Sequence, residues 1–192
     1  MTPRGRYPRG MDSLAPGLLI AMPALQEPTF ARGVVLLLHH DEEGAMGIVL
    51  NRVADVLLPA FFEEHGLPQG PGAEGRRLHI GGPCELRRGF LLHQERMLAE
   101  NAIEVLPEVF VSTDTGSMRA VLQESGRPFV FLLGYAGWGA GQLEREVVAG
   151  AWLTTPAHAA RVFQADPENT WRSALADIGI DPAHLCVSGE RH

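Results

Sequence analysis

The sequence contains no lysine, and all sixteen of its basic residues are arginine. Without lysine the chain cannot form a Schiff base, attach pyridoxal phosphate or hold a phosphate with the lysine of a P-loop. The use of arginine alone, together with many alanines, glycines and prolines, indicates a compositional bias of the whole chain. Arginine content by itself therefore indicates little about function.

Cysteine and long apolar runs are also scarce. The two cysteines, Cys84 and Cys186, are far apart and form no C-x-x-C pair, which argues against a structural zinc site and a disulfide-framed secreted domain. No apolar run reaches the roughly 20 residues that span a bilayer, and the N-terminal arginines lack the apolar stretch of a signal peptide. The sequence therefore predicts a cytoplasmic protein without a membrane partner, a metal or a cofactor.

The charge of the chain is predominantly acidic. Its net charge is −7, and because the first ten residues hold three arginines and no acid, residues 11–192 carry a net charge of −10. Such a body repels phosphate backbones unless a local basic patch overcomes the repulsion, and the sequence shows no basic stripe. We therefore expect no direct binding to nucleic acid.

The apolar pattern predicts an α+β fold, because consecutive short strands are interrupted by only a few helices. Residues 1–13 are rich in glycine, proline and arginine and predict a disordered tail, followed by one domain over residues 14–192. After a short apolar run at 17–22, the predicted strands are 33–40, 46–50, 78–80, 89–93, 102–106, 109–112 and 128–133, with two more near Trp152 and Val162. The predicted helices are 57–64, a segment after Asp114, 142–149 and a segment that Asp166 caps.

Three motifs that carry chemistry in other proteins have a structural explanation here. Gly70–Gly75 matches G-x-G-x-x-G, but it follows a predicted helix and precedes a strand, so a surface loop is predicted rather than a dinucleotide site. His39–Glu43 offers five potential metal ligands, yet neighbours on a strand point to opposite faces, which favours a solvated hairpin turn. Cys84, after Gly81-Gly82-Pro83, is predicted to be a small apolar residue at a turn rather than a reactive thiol.

Two histidines at strand ends are a further candidate site. His40 and His93 each end a predicted strand, and the fold could bring them together as a metal or acid–base pair. Separate structural roles at the two strand ends are the favoured interpretation.

The most informative segment is 129–144, FVFLLGYAGWGAGQLE. Its four glycines from 134 to 141 let the backbone approach a neighbour closely or adopt positive φ. The segment predicts a glycine loop between the most apolar strand and a helix N-terminus, which is a position that favours anions. Tyr135 and Trp138 within it indicate either core packing or ligand stacking, and the sequence leaves both interpretations open.

With GYAGWGAGQLE the sequence resembles the AlgH/YqgE family of bacterial proteins. Three other segments are similar to that family in the same order, LLIAMPALQEPTF, HHDEEGAMGIVLNR and HIGGPCELRRGFLLH, and so is the C-terminal Trp171–Pro182. The resemblance covers about residues 14–182. It departs at Ala140, where the family often has proline, and at Cys84, where it often has valine.

The resemblance implies a single α+β domain with a bent, partly barrel-like mixed sheet flanked by about four helices. It implies no established activity. The family name refers to a proposed role in transcriptional regulation of exopolysaccharide synthesis. Since the sequence shows no helix-turn-helix and the body is acidic, such a role would be indirect, through an unknown protein partner or a small anionic ligand.

We favour a non-enzymatic binding or regulatory protein, because the chain shows no nucleophile elbow, H-E-x-x-H, P-loop or zinc spacing. The alternative is a hydrolase or transferase that uses residues 134–141 as an anion cradle. The predicted ligand-binding residues are Gly134, Tyr135, Gly137, Trp138, Gly139, Gly141, Gln142, Glu144, Asn51, His40 and His93. One geometric feature distinguishes the two interpretations. An open pocket lined by Trp138, His40, His93 and Asn51 would favour ligand binding or catalysis. Burial of these side chains at scattered places would favour a binding surface.

Overall fold

The structure, a computed structural model, describes residues 13–94, 102–164 and 166–185 of the 192-residue chain. The predicted N-terminal tail lies outside these residues except for Ser13, and so does Cys186. Ser13 donates a hydrogen bond from its hydroxyl to the carbonyl of His40, 3.0 Å away, which ties the beginning of the described chain to the sheet.

Strands dominate the described residues and join into one sheet. They are β1 (Gly17–Ala21), β2 (Val34–Asp41), β3 (Gly44–Val49), β4 (Val53–Leu57), β5 (Arg77–Ile80), β6 (Cys84–His93), β7 (Ile103–Leu106), β8 (Val109–Ser112), β9 (Phe129–Gly139) and β10 (Trp152–Pro156). The predicted strands recur with shifted ends, except the one near Val162. β4 was not predicted, because its largely exposed side chains leave no apolar alternation for a sequence pattern to detect.

Six α-helices lie around the sheet in the described part of the chain. They are α1 (Leu58–Glu64), α2 (Thr115–Leu122), α3 (Gln142–Val148), α4 (Ala159–Val162), α5 (Pro167–Asp177) and α6 (Pro182–Leu185). The four predicted helices are present, and α4 and α6 add two single turns. The predicted strand near Val162 is wrong, because Ala159-Ala160-Arg161 has high helix propensity and forms α4. None of these helices is long and apolar enough to cross a membrane.

The sheet is curled into a half-barrel, which confirms the predicted α+β class with a bent sheet. Its strand order is β10-β1-β2-β3-β9-β6-β8-β7, and neighbouring strands along this path are antiparallel. β5 pairs with β9 in parallel, which makes the sheet mixed, and β4 pairs with β5 antiparallel. β4 therefore forms a side branch beside the main path.

Both faces of β1 and of the first half of β2 are buried, which explains why these segments are continuous apolar runs rather than alternating ones. Leu18, Ile20, Val34 and Leu36 pack on one face, beneath Trp171 and Leu175 of α5. Their sequence neighbours pack on the other face with Trp138, Leu143 of α3 and Trp152. A third cluster lies under α1 and α2, around Phe62, Val121 and Phe131.

β9 is the longest strand and extends through most of the predicted glycine loop. Residues 134–139 are strand rather than loop, because β3 supplies hydrogen-bonding partners along them, from Gly47 opposite Ala136 to Gly44 opposite Gly139. Burial alternates with the period of a strand, since Ala136 and Trp138 are buried while the intervening glycines are exposed.

Two backbones cross closely where β9 changes neighbours from β6 and β5 to β3. The amide of Gly81 donates to the carbonyl of Leu133, and the Gly81 carbonyl accepts from Val49, both at 2.7 Å. A side chain on Gly82 would lie 2.2 Å from the backbone of Tyr135, and one on Gly134 would lie 2.5 Å from the carbonyl of Gly82. The prediction that Gly81-Gly82 makes a close backbone turn is confirmed.

We expect Gly82→Ala to destabilise the protein strongly, because the position combines φ of +154° with a backbone atom in the place of the new methyl group. Strain and overpacking together predict a loss of about 2–5 kcal/mol in the free energy of unfolding. Gly126→Ala is the matched control, since Gly126 also has positive φ but no atom within 4 Å of the new carbon, and it should lose only about 1 kcal/mol. If chemical denaturation shows equal losses in the free energy of unfolding for the two variants, the close backbone crossing at Gly82 is contradicted.

Candidate functional site

Trp138, the aromatic residue of the predicted ligand site, belongs to the core. It is 7% exposed, and its indole N–H donates to Oε2 of Glu146, 3.0 Å away, while the indole of Trp152 donates to the same oxygen at 2.8 Å. The ring of Phe30 packs against both indoles. The carboxylate of Glu146 thus holds α3 against two tryptophans. The structure therefore supports core packing as the role of Trp138.

Part of the backbone of the predicted anion cradle is hydrogen-bonded within the protein. The amide of Gly139 donates to the side-chain oxygen of Gln142 at 3.0 Å, and the amide of Gln142's side chain donates to Glu146 at 2.9 Å. Gly141 takes the left-handed conformation, with φ of +68°, to begin α3. Tyr135 packs its ring edge-on against Phe90. The predicted glycine loop is therefore a strand and a short turn, and it does not form an open cradle.

His40 connects three parts of the fold and is 5% exposed. Its Nδ1 accepts from the amide of Leu14 at 2.9 Å, so Nε2 carries the proton and donates to Oε1 of Glu144 at 3.0 Å. The backbone amide of Glu144 and the bond from His40 hold the pKa of that carboxyl below its ordinary value. The arrangement fastens α3 to the segment before β1 and leaves no ring nitrogen of His40 for a ligand.

His93 lies elsewhere, fully buried, with its Nε2 2.8 Å from Oγ of Ser112 and its ring stacked on Phe110. Strand register keeps it away from His40. His40 lies opposite Ala45, which lies opposite Trp138, whereas His93 lies opposite Phe129, nine positions away on β9. At about 3.3 Å per residue this is roughly 30 Å along the strand. The hypothesis of a joint His40–His93 site is therefore wrong.

Asn51 lies at the opposite end of β2 from His40. Its Oδ1 accepts from the amide of Val34, and its Nδ2 donates to the carbonyl of Arg32, both at 2.9 Å. The next residue, Arg52, donates from its guanidinium to the carbonyls of Ala31 and Asn51. These bonds hold the turn before β2, including Arg32 with its positive φ of 54°, against the end of β3.

This turn forms one wall of a polar cavity, which we call the arginine cleft. It has a volume of about 800 Å³, and β4, β5 and the start of α5 form the rest of its wall. Arg32, Arg52, Arg77 and Arg172 line it, together with Asn51, Trp171 and the acidic residues Asp166 and Glu168. Four arginines against two acids give the cleft positive charge in an otherwise acidic protein.

The arginines of the cleft are held in different ways. The guanidinium of Arg32 lies over the ring of Trp171, 5.7 Å from its centroid, and Trp171 is itself fixed by donating from its indole to the carbonyl of Ala21. Burial lowers the pKa of Arg52, because desolvation disfavours its charge. Arg77 lies 3.5 Å from the exposed carboxylate of Asp55. Among the described residues, no carboxylate lies within 4 Å of the guanidinium of Arg32, Arg52 or Arg172.

A second compartment of about 630 Å³ adjoins the arginine cleft and is mostly apolar. Phe129, Phe131 and Phe163 contribute to its lining, and the guanidinium of Arg76 covers the ring of Phe129 at 4.1 Å. His79 also faces it, and burial lowers the pKa of that imidazole. The two compartments share Val53, Arg77, Pro167 and Glu168, so together they form one continuous depression.

Comparison with known proteins places this architecture in a family. The sequence profile described as AlgH-like matches residues 18–183. The chain belongs to the AlgH-like family. It is 42% identical over 177 residues to a UPF0301 protein of Myxococcus xanthus, covering 92% of this chain and 97% of that protein. A UPF0301 protein of Saccharophagus degradans is 38% identical over 181 residues, covering 94% and 89% of the two chains.

Two solved structures share the AlgH-like fold. The solution structure of the AlgH protein from Pseudomonas aeruginosa matches with a TM-score of 0.74 and 34% identity, covering 99% of this chain and all of that one. A crystal structure of a Corynebacterium diphtheriae protein matches with a TM-score of 0.70 at 20% identity, covering 96% and 95% of the chains, and shows the fold alone. The predicted family is thereby confirmed, and the names of these relatives carry no specific activity.

Sequence reasoning missed the arginine cleft of this AlgH-like chain for a physical reason. Its four arginines come from separate segments, before β2, before β4, in β5 and in α5, so no basic stripe appears in the sequence. The only signal was the pair Asn51-Arg52, of which Asn51 was predicted as a site residue. The other predicted residues are not brought to this cleft.

We expect Trp138→Ala to lower the free energy of unfolding by about 3–5 kcal/mol, because the ring is buried and its loss leaves Glu146 short of a donor. Thermal or chemical denaturation of the variant measures this, with Trp138→Phe as a control that keeps most of the packing and should lose less. A fully stable Trp138→Ala variant would contradict the core role and return Trp138 to the list of ligand-binding candidates.

Proposed function

We propose that this AlgH-like chain is a non-enzymatic binding protein whose working surface is the arginine cleft, and that the cleft takes an anionic ligand. One observation carries the proposal. Arg32, Arg52 and Arg172 converge on one cavity without a carboxylate within 4 Å in the described part of the chain, although the chain as a whole has seven more acids than bases.

The physical chemistry of guanidinium supports an anion at this place. A partly buried cation that has lost hydration is stabilised by an opposite charge, and planar guanidinium groups bind carboxylates and phosphates through two parallel hydrogen bonds. Within the described residues, Arg52 donates to the backbone carbonyls of Ala31 and Asn51, which are weaker partners than an anion. Binding an anion would therefore complete interactions that the protein itself leaves incomplete.

The positions of Trp138, His40, His93 and Asn51 support binding rather than catalysis, because these four residues do not line one common pocket. Trp138 and His40 are both buried against α3, His93 is buried elsewhere, and Asn51 is the one of the four that lines the cleft. The alternative is a hydrolase or transferase with an anion cradle at residues 134–141. That alternative is weakened because residues 136–139 pair with β3 and the amide of Gly139 donates to Gln142 of α3. The Ser112–His93 pair resembles a nucleophile and base, but both side chains are almost fully buried, out of reach of a substrate.

A regulatory role of the protein would be indirect. The cleft contains two acids beside its arginines, and the surrounding chain is acidic, so a DNA duplex would meet repulsion on both sides of any contact. We therefore propose that an effect on transcription, acting in the cytoplasm, passes through the anionic ligand and not through DNA.

The test is calorimetric titration of the full chain with inorganic pyrophosphate at about 50 mM salt. We expect binding that the double variant Arg32→Gln/Arg172→Gln weakens about tenfold, since each exposed ionic contact contributes up to about 1 kcal/mol. Raising the salt to about 500 mM should weaken it as well. A 20-base-pair DNA duplex, tested by gel shift at physiological salt, should not bind.

The matched control is Arg119→Gln/Arg145→Gln, which removes two exposed arginines of α2 and α3 that lie outside the cleft. This control should bind pyrophosphate as the wild type does. If pyrophosphate fails to bind, or if both double variants weaken it equally, the arginine cleft is not the binding surface.

A further inference from the structure

The depression beside α5 joins two regions of opposite chemistry. The arginine cleft is polar and basic, while the lining of the adjoining compartment is mostly apolar and includes Phe129, Phe131 and Phe163. Val53 is 36% exposed although it is apolar, and it stands in the wall that both compartments share. A ligand that fills the whole depression therefore needs an acidic part and an apolar part side by side.

The size and openness of the depression indicate what kind of ligand fits. Small-molecule sites usually enclose about 300–1,000 Å³ and bury most of the ligand. Each compartment alone falls in that range, but the two together exceed it. Arg32, Val53, Arg77, Glu168 and Arg172 also remain exposed along the rim, so a small molecule would be covered on one side only. An extended polypeptide occupies such a long, open depression more completely.

We infer that the occupant is an acidic segment of a protein partner that carries one large apolar side chain, with its carboxylates in the arginine cleft and that side chain among the phenylalanines. This inference rests on the proposed anion binding and specifies its ligand. Charge complementarity carries it, because Arg32, Arg52 and Arg172 are without carboxylates within the described residues and would each meet one.

Part of the recognition surface is rigid before binding. The guanidinium of Arg76 is held by the carbonyls of Phe129 and Arg127, at 2.9 and 2.7 Å, and Arg52 is held by the turn before β2. Long side chains that are already ordered lose little entropy when a partner arrives. Arg32 and Arg172 are exposed and can adjust to the positions of the carboxylates.

The acidic body adds selectivity of its own. A folded acidic protein approaching this chain meets repulsion over most of the surface, whereas a projecting acidic segment reaches the cleft without that contact. Basic segments are excluded from the cleft because its arginines repel them. The partner that fits is therefore one with an exposed, flexible acidic motif.

The test is selection from a phage-displayed library of random twelve-residue peptides on the full chain at about 150 mM salt. We expect enriched peptides that combine several Asp or Glu residues with a Phe, Trp or Leu. A synthetic copy of the most enriched peptide should bind about tenfold more weakly to Arg32→Gln/Arg172→Gln, and similarly to Val53→Glu, which places a negative charge in the shared wall.

Two matched controls separate this result from general charge effects. Arg119→Gln/Arg145→Gln removes the same charge outside the depression, and Val148→Glu adds the same acid at an exposed apolar position of α3, where Val148 is 80% exposed. Both should bind the peptide as the wild type does. Circular dichroism of every variant checks that its fold is retained.

The outcomes distinguish the inference from the proposed function. If pyrophosphate binds through Arg32 and Arg172 but no acidic peptide is enriched, the protein-segment inference is wrong and anion binding stands. If neither binds, both proposals fall. Enrichment of neutral or basic peptides, equal loss in the control variants, or dimers in light scattering that Val53→Glu dissociates would each overturn the inference, the last by showing a second copy of this chain as the occupant.

Discussion

The close crossing of two backbones at Gly81-Gly82 and Gly134 is the constraint on which the rest of the fold depends. At this point β9 leaves β6 and β5 and joins β3, and the backbone of Gly81 bonds to both sides of the junction. A single added carbon on Gly82 or Gly134 would meet backbone atoms at 2.5 Å or less, so only glycine permits the approach. The curl of the sheet, and with it the side branch of β4 and β5, follows from this exchange of partners.

The side branch positions the candidate site. β5 lies parallel to β9 through His79 and Ile80, and it carries β4 beside it, opposite the start of α5. Trp171 fixes α5 to β1 by its bond to Ala21, while Asn51 and Arg52 fix the turn that holds Arg32. The arginine cleft is thus formed where three separately anchored segments meet. Its arginines are brought together by tertiary structure, which explains why the charge of the cleft is opposite to that of the chain.

Much of the fold could be predicted from the sequence, because its signals are local. Asp166 caps α5 as predicted, and Asp114, within the predicted capping segment 112–114, caps α2. The continuous apolar run at 33–40 indicated the buried strand β2. The end of β9 could not be predicted locally. Its glycines have low strand propensity, and only the pairing of Gly137 and Gly139 with β3 keeps them extended.

The site was less predictable than the fold. Trp138, His40 and His93 were candidates because of their chemistry. Their hydrogen-bonding partners in the structure are Glu146, Glu144, Leu14 and Ser112. These partners are either distant in the sequence or not marked by its pattern, so the internal bonds could not be predicted. Conversely, Arg32 and Arg172 carry no local signal that separates them from the other arginines of a lysine-free chain. Only strand register and the position of α5 reveal which of the arginines converge.

The central claim, that anions bind among the arginines beside α5 and not at the glycine segment, is tested most directly by nuclear magnetic resonance. Isotope-labelled full-length protein is titrated with pyrophosphate while the arginine side-chain and glycine backbone N–H signals are followed. The account predicts saturable shifts at the side chains of Arg32, Arg52, Arg77 and Arg172, with the amides of Gly137, Gly139 and Gly141 unchanged. Saturable shifts at those three glycines, with the four arginines unchanged, would contradict it.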